Sequence, residues 1–120
     1  MSSINIGEIY TYNAIKPNDN LQKTRPVLVI GTDSMNQLNF VDINYVIISS
    51  SADCGKYDVE ISEEKARAIG LERRSVIKTT KIFTGPQSKL GRQIGKLPED
   101  IKKEFREKYS EYQKSIIQKL

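Results

Sequence analysis

In Arg25-Pro26-Val27-Leu28-Val29-Ile30-Gly31, four consecutive apolar residues, mostly β-branched, lie between a proline and a glycine. An apolar run of this length and composition predicts a strand that is buried on both faces. A second β-rich run extends from Phe40 to Ile48 and passes directly into Ser49-Ser50-Ser51. The second strand is therefore predicted to carry hydroxyl groups from the core to an edge of the sheet.

Weaker patterns on both sides of these runs predict the remaining elements. Further strands are expected at residues 7–12, 57–61, 75–83 and 91–97, and a polar surface loop at 16–23. Ser62 and Gly70 are residue types that begin and end a short helix. An apolar stripe at steps of three or four residues predicts a C-terminal helix, with the members Leu97, Ile101, Phe105, Tyr109, Tyr112, Ile116 and Leu120. Strands followed by one closing helix predict an α+β, barrel-like domain.

Length and composition limit the class of protein. The chain has 120 residues, which matches one compact domain, so we expect a single domain over residues 1–120. No run is apolar enough to span a membrane and the start lacks a signal-peptide pattern, which together predict a cytoplasmic protein. Histidine is absent and Cys54 is the only cysteine, which excludes histidine-based catalysis, cysteine metal clusters and an internal disulfide.

The placement of charge indicates an anionic partner. The formal net charge is only +4, but the stretch from Arg73 to Pro98 contains no acidic residue. Seven of the 19 basic residues of the chain fall in it: Arg73, Arg74, Lys78, Lys81, Lys89, Arg92 and Lys96. Scattered lysines often form only a solvated face, but the lack of acids favours a surface that binds phosphates.

Four segments in a fixed order resemble one known family. They are Gly7-Glu8-Ile9-Tyr10, Arg25-Pro26-Val27-Leu28-Val29-Ile30, Ser75-Val76-Ile77 and Leu90-Gly91-Arg92-Gln93-Ile94-Gly95-Lys96-Leu97. Each segment alone is weak, whereas the ordered set resembles the MazF/PemK toxins of type II toxin–antitoxin systems over most of the chain. The resemblance implies an SH3-like β-barrel of the MazF and CcdB type with a C-terminal helix. It also implies a homodimer that cleaves single-stranded RNA until a cognate antitoxin covers it.

The resemblance also implies site residues. The arginine immediately before Pro-Val corresponds to Arg25, and the hydroxyl residue after the third strand corresponds to Ser49. That hydroxyl is usually a threonine in the family, and Ser50 or Ser51 takes the position if the register is shifted. The loop before Arg25 departs from the family's Gly and Glu/Gln pattern, and within it Asp19 is a candidate proton acceptor or an ordinary turn residue. Basic and polar side chains assigned to RNA binding are Lys23, Thr24, Lys78 and Lys81.

These residue types suit cleavage without a metal or another cofactor. RNA carries its own nucleophile, because its 2′-OH can attack the adjacent phosphorus and leave a 2′,3′-cyclic phosphate and a 5′-OH end. A guanidinium such as that of Arg25 presents fixed donors for two phosphoryl oxygens, where charge builds in that step. A serine hydroxyl can donate to a nonbridging oxygen or orient the 2′-OH.

Other functions remain open at this point. SH3-like barrels also occur in non-enzymatic toxins that bind gyrase, and a fold alone does not assign an activity. A catalytically weakened homologue that only binds an antitoxin is a third reading, motivated by the serine at position 49 and the altered loop. Cys54 has no basic partner at catalytic spacing, which favours an incidental thiol over a nucleophile.

Overall fold

The computed structural model describes residues 4–15, 22–32 and 42–120, with side chains described for 4–13, 25–31 and 42–120. Eight elements follow one another in these ranges, with a single 3₁₀ turn at Gln87–Lys89 before the last strand. They are β1 (Glu8–Ile15), β2 (Gln22–Thr32), β3 (Asp42–Ser49), β4 (Val59–Ile61), α1 (Glu63–Ile69), β5 (Ser75–Pro86), β6 (Leu90–Lys96) and α2 (Glu99–Ile117). The predicted order of strands with one short and one closing helix is confirmed.

The six strands form one antiparallel sheet in the order β4-β5-β3-β2-β1-β6. The two long apolar runs of the sequence, β2 and β3, lie at its centre, as their continuous hydrophobicity predicts. Helix α1 follows one edge strand and contacts the other, since a Cβ atom on Gly95 of β6 would collide with the carbonyl of Ile69. This contact brings the two edges of the curved sheet toward each other, which gives the barrel-like shape.

Apolar side chains form one large and one smaller cluster on the sheet. The larger cluster lies between the sheet and the two helices and contains Ile9, Leu28, Val46, Ile48, Val59, Ile61, Ala66, Leu71, Ile77, Leu97, Ile101 and Phe105. The smaller cluster contains Tyr10, Val27, Val29, Ile43 and Tyr45. Each of the fully buried aliphatic side chains contributes roughly 1.5–3 kcal/mol relative to an exposed one, so the central strands dominate the stability of the sheet.

Helix α2 buries only its first half. Ile101 and Phe105 are buried, and Tyr109 packs against the same cluster. The predicted stripe was wrong at its end, because Ile116 and Leu120 are exposed. The reason is geometric: the contacts of α2 with the larger apolar cluster end at Tyr109, so Ile116 and Leu120 have no part of that cluster to pack against.

A buried carboxylate holds the segment that follows the serine run. Asp58 is 6% exposed and accepts hydrogen bonds from the backbone amides of Gly55 at 2.8 Å and Thr79 at 3.2 Å. The Nζ of Lys78 lies 2.5 Å from the same carboxylate and also donates to the carbonyl of Asp53 at 3.2 Å. Residues 53–58 are thus tied to β5 at the point where that strand bulges away from β3.

Arg74, directly before β5, forms a second set of hydrogen bonds to the same segment. The guanidinium of Arg74 donates to the carbonyl of Ala52 at 3.1 Å and to the carboxylate of Glu60 at 3.0 Å. The hydrogen bond from Arg74 lowers the pKa of Glu60. Because Ala52 directly follows Ser49-Ser50-Ser51, this arginine limits where the serine run can lie.

We expect Asp58→Ala to lower the free energy of unfolding by about 3 kcal/mol, because it leaves the Lys78 ammonium, the buried amide of Thr79 and the amide of Gly55 without their acceptor. Urea unfolding followed by circular dichroism measures the change. Glu60→Ala is the matched control, since it removes an exposed ion pair and should cost much less. Equal losses for the two variants would contradict the assigned role of Asp58.

Candidate active site

The register of β2 and β3 brings the predicted arginine and hydroxyl together. Val27 pairs with Ile47 across the two antiparallel strands. Arg25 precedes Val27 by two residues and Ser49 follows Ile47 by two. The antiparallel register therefore places them opposite each other and on the same face, just beyond the last paired residues of β2 and β3. The two catalytic candidates, separated by the β2–β3 connection in sequence, therefore become neighbours through strand pairing.

An open cavity of about 480 Å³ lies at this end of the strands. Arg25 and all three serines of the run line it, together with residues from β1, the α1–β5 connection and β6. The complete lining in the described part of the chain is Thr11, Arg25, Pro26, Ile48, Ser49, Ser50, Ser51, Gly70, Leu71, Glu72, Arg73, Ser75, Arg92 and Ile94. The candidates Arg25, Ser49 and Ser50 thus share one cavity.

Ser49 is the best held hydroxyl of the serine run. Its Oγ accepts a hydrogen bond from the backbone amide of Ser51 at 3.3 Å, and its side chain is partly buried, whereas Ser50 and Ser51 are exposed. A hydroxyl that accepts in this way keeps its own hydrogen for donation to a ligand. Ser49 is therefore the serine whose O–H is best positioned for an anion in the cavity.

Three guanidinium groups surround the cavity. Arg25 comes from β2, Arg73 from the connection between α1 and β5, and Arg92 from β6, and all three are exposed. None of them forms an ion pair with another residue in the part of the chain that the structure describes. Unpaired arginines around an open cavity suit phosphate binding, because each can present two parallel donors to phosphate oxygens.

The position of Arg92 depends on an irregular pairing between β1 and β6. The register shifts between Tyr10 and Tyr12, and the Oγ1 of Thr11 accepts the hydrogen bond of the Arg92 amide at 2.8 Å. A Cβ atom on Gly91 would collide with this hydroxyl, so glycine is needed beside the bulge. The bulge directs Arg92 toward the cavity. The acid-free stretch from Arg73 to Pro98 did not by itself predict which of its basic residues would lie there.

The connection between α1 and β5 is anchored at both ends. Gly70 ends α1 with φ = 120°, a conformation that favours glycine, and Leu71 is buried in the larger apolar cluster. The Nε of Arg67 donates to the carbonyl of Glu72 at 3.4 Å, and the Oγ of Ser75 donates to the carbonyl of Arg73 at 2.9 Å. Between these anchors Glu72 and Arg73 reach the cavity.

None of the four residues assigned to RNA binding is among the described residues that line the cavity. Lys78 does not line the cavity, and its ammonium is held by the buried Asp58. Lys81 is exposed in the β5 bulge and is likewise not among the described lining residues. Lys23 and Thr24 belong to β2, but their side chains lie outside the described ones, and Asp19 lies outside the described residues altogether.

Other chemical groups contribute little at this site. Desolvation, together with the nearby Asp58 carboxylate, raises the pKa of the Cys54 thiol, which disfavours the reactive thiolate. Among the described residues, no group of three or more His, Cys, Asp or Glu side chains is placed to hold a metal ion. Neither helix in that part of the chain combines the length and apolar character that a membrane crossing needs.

Comparison with known proteins gives the same fold. The profile of PemK-like, MazF-like toxins of type II toxin–antitoxin systems matches residues 5–111. The Mycobacterium tuberculosis toxin MazF-mt6 is 22% identical with a TM-score of 0.64, over 85% of this chain and 93% of that one. A mycobacterial endoribonuclease in complex with its cognate antitoxin is 13% identical with a TM-score of 0.67, over 90% and 92% of the two chains.

A structure described as an Mtb toxin is 25% identical with a TM-score of 0.59, over 72% of this chain and 90% of that one. A search among curated protein sequences finds no match. The family profile covers nearly the whole described fold, including every strand and the first half of α2 that packs on the sheet. The chain therefore belongs to the PemK-like, MazF-like toxins of type II toxin–antitoxin systems.

Proposed function

We propose that this protein is an endoribonuclease toxin that cleaves single-stranded RNA without a metal and is neutralised by a cognate antitoxin. The observation that carries the proposal is the cavity in which Arg25 and the held hydroxyl of Ser49 meet Arg73 and Arg92, none of these arginines being ion-paired within the described part of the chain. Two of the structurally similar mycobacterial proteins are described as endoribonucleases. Family membership and site chemistry thus support the same activity.

The reaction begins with attack of an RNA 2′-OH on the adjacent phosphorus. The bond from O2′ to phosphorus forms, the bond from phosphorus to O5′ breaks, and the 2′-OH proton is lost while O5′ gains one. The products are a 2′,3′-cyclic phosphate and a 5′-OH end. No external nucleophile or redox partner is needed.

Arg25 and Ser49 serve this reaction by stabilising charge. Negative charge builds on the nonbridging oxygens as the 2′-oxygen attacks, and Arg25 presents donors that stay protonated. The Ser49 hydroxyl donates to one of the same oxygens or orients the 2′-OH. Because Arg25 lies within β2 and Ser49 is the last residue of β3, both groups are held more firmly than loop residues would be.

The arginines around the cavity favour a single strand of RNA over a duplex. Arg73 and Arg92 lie on different elements from Arg25, so they can contact phosphates on either side of the one that is cut. A flexible strand can bend its backbone into such a cavity and turn its bases outward, which a stacked duplex cannot do without unpairing. Sequence specificity would then come from contacts between the unstacked bases and the residues around the cavity.

An antitoxin fits the same surface. Carboxylates are attracted by the arginines that attract phosphates, so an acidic and apolar segment would compete with RNA for the cavity. One similar mycobacterial endoribonuclease is described in complex with its cognate antitoxin. We propose that this protein binds the same kind of partner. We also propose that it is a homodimer in the cytoplasm.

We expect purified protein in EDTA to cut a long, weakly structured RNA at discrete positions and to leave 5′-OH ends. Arg25→Ala should reduce the single-turnover rate by about 10²–10³-fold, because it removes the principal donor to the transition-state charge. Ser49→Ala should also slow cleavage, whereas Ser49→Thr, which keeps the hydroxyl, should not. Primer extension and end labelling locate the cuts and identify the ends.

Arg106→Ala is the matched control, because this exposed arginine pairs with Glu99 on α2, outside the cavity. Its cleavage rate should equal that of the wild type. Absence of cutting of several RNAs at high protein concentration would contradict the ribonuclease proposal. Gyrase binding and antitoxin binding would then be the next activities to measure.

We expect Arg92→Gln to weaken RNA binding at every sequence tested and to make binding less sensitive to salt. Loss of one phosphate contact lowers the slope of log affinity against log salt concentration by about 0.7 for a single strand. Fluorescence anisotropy with an RNA that carries 2′-deoxyribose at the cut position measures binding without cleavage. An unchanged slope would show that Arg92 does not contact a phosphate, and Arg106→Gln provides the comparison.

A further inference from the structure

We propose that Glu72 is the general base of the reaction and accepts the proton of the attacking 2′-OH. This inference rests on the ribonuclease function proposed above and assigns its missing proton acceptor. Arginine is a poor base, a serine hydroxyl is a weak one, and the sequence contains no histidine. A carboxylate is therefore the side chain that can take this proton.

Glu72 is the one carboxylate among the described residues that line the cavity. It reaches that cavity together with Arg25 and Ser49, the groups that would bind the phosphate under attack. A carboxylate oxygen is a hydrogen-bond acceptor and can take a proton directly or through one water molecule. Its position and its chemistry thus match the role.

The side chain of Glu72 is not engaged elsewhere in the part of the chain that the structure describes. The contact that fixes this residue is made to its backbone carbonyl by Arg67, which leaves the carboxylate available. No ion pair forms between this carboxylate and the three arginines that line the same cavity.

The backbone around Glu72 is held firmly enough to aim a catalytic group. Leu71 on one side is anchored in the apolar core, and the Arg73 carbonyl on the other accepts from Ser75. The connection then joins β5, where Val76 pairs with Ser49. Strand pairing thus links the support of the proposed base to the hydroxyl that binds the phosphate.

Nearby carboxylates in the described ranges are committed to other contacts. Asp58 is buried and bound to Lys78 and two amides. Glu60 is hydrogen-bonded to Arg74 on the outer side of the same segment. Neither lines the cavity, so neither can replace Glu72 without a rearrangement of the loop.

In the proposed step, the Glu72 carboxylate removes the 2′-OH proton as the bond from O2′ to phosphorus forms. Arg25 and Ser49 hold the nonbridging oxygens, and O5′ leaves with a proton supplied by solvent. The protonated Glu72 then returns its proton to water when the cyclic product departs. The balance requires no further reactant, and the carboxylate is regenerated for the next turnover.

The test compares Glu72→Gln with the wild type in single-turnover cleavage and in binding of RNA with 2′-deoxyribose at the cut position. We expect a loss of cleavage rate of about 10²-fold or more, with affinity unchanged or tighter because a negative charge near the phosphates is removed. The wild-type rate should rise with pH at the acidic end of its profile, and Glu72→Gln should lack this rise. Glu64→Gln, an exposed glutamate on α1 outside the cavity, should behave as wild type.

An RNA with sulfur in place of the 5′-bridging oxygen distinguishes a general-base role of Glu72 from a general-acid role. Its thiolate leaves without a proton, so the defect of Glu72→Gln should persist on this substrate if Glu72 acts on the 2′-OH. Disappearance of the defect would make Glu72 the acid and overturn the proposal. A parallel loss of rate and affinity, with the unfolding transition also shifted, would overturn it in favour of a structural role.

Failure of this inference is distinguishable from failure of the ribonuclease proposal. If the wild type and Glu72→Gln cleave at the same rate, the role of Glu72 is refuted and the ribonuclease proposal stands. Wild-type protein that cleaves no RNA refutes both. Glu72→Asp, which keeps a carboxylate on a shorter side chain, should retain part of the rate if the role is proton transfer.

Discussion

The site depends on the register between β2 and β3, in which Val27 lies opposite Ile47. Because side chains alternate between the faces of a strand, a slip of one residue would move buried valines and isoleucines to the wrong side of the sheet. The apolar core therefore fixes the register, and the register fixes the strand ends. Arg25 and Ser49 become neighbours as a consequence of core packing, with no direct contact required between them.

Much of this arrangement is visible in the sequence because it is encoded locally. The continuous apolar runs predict β2 and β3, and the serines that follow β3 are predicted to reach an edge of the sheet, whereas Arg25 is singled out by the family resemblance. The short helix is also predictable, since Ser62 caps it and Gly70 ends it, as the structure shows. What the patterns do not contain is which strand ends meet, because that depends on contacts between distant residues.

The remaining members of the cavity illustrate this limit. Arg92 is positioned by the hydrogen bond from its backbone amide to Thr11, 81 residues away in the chain. Glu72 is positioned by the connection between α1 and β5, whose two ends are anchored on different elements. The acid-free stretch indicated a phosphate-binding surface but did not separate its members. Lys78 and Arg74 belong to that stretch and are used within the fold, bound to Asp58 and Glu60, whereas Arg73 and Arg92 line the cavity.

The basic residues fall into two groups, those bound to carboxylates within the fold and those that line the cavity, and this difference has a physical cause. A lysine ammonium is a compact charge that one buried carboxylate can hold, and Lys78 is placed beside Asp58 by the β5 bulge. A guanidinium on the rim keeps its donors in water until an anion arrives, so the exposed arginines retain their capacity for phosphate. The cations that stabilise the segment after Ser49 are therefore already occupied, whereas the arginines that line the cavity make no ion pair within the described residues and contribute little to the fold. Substitutions in the two groups should consequently affect stability and the binding of an anion in the cavity separately.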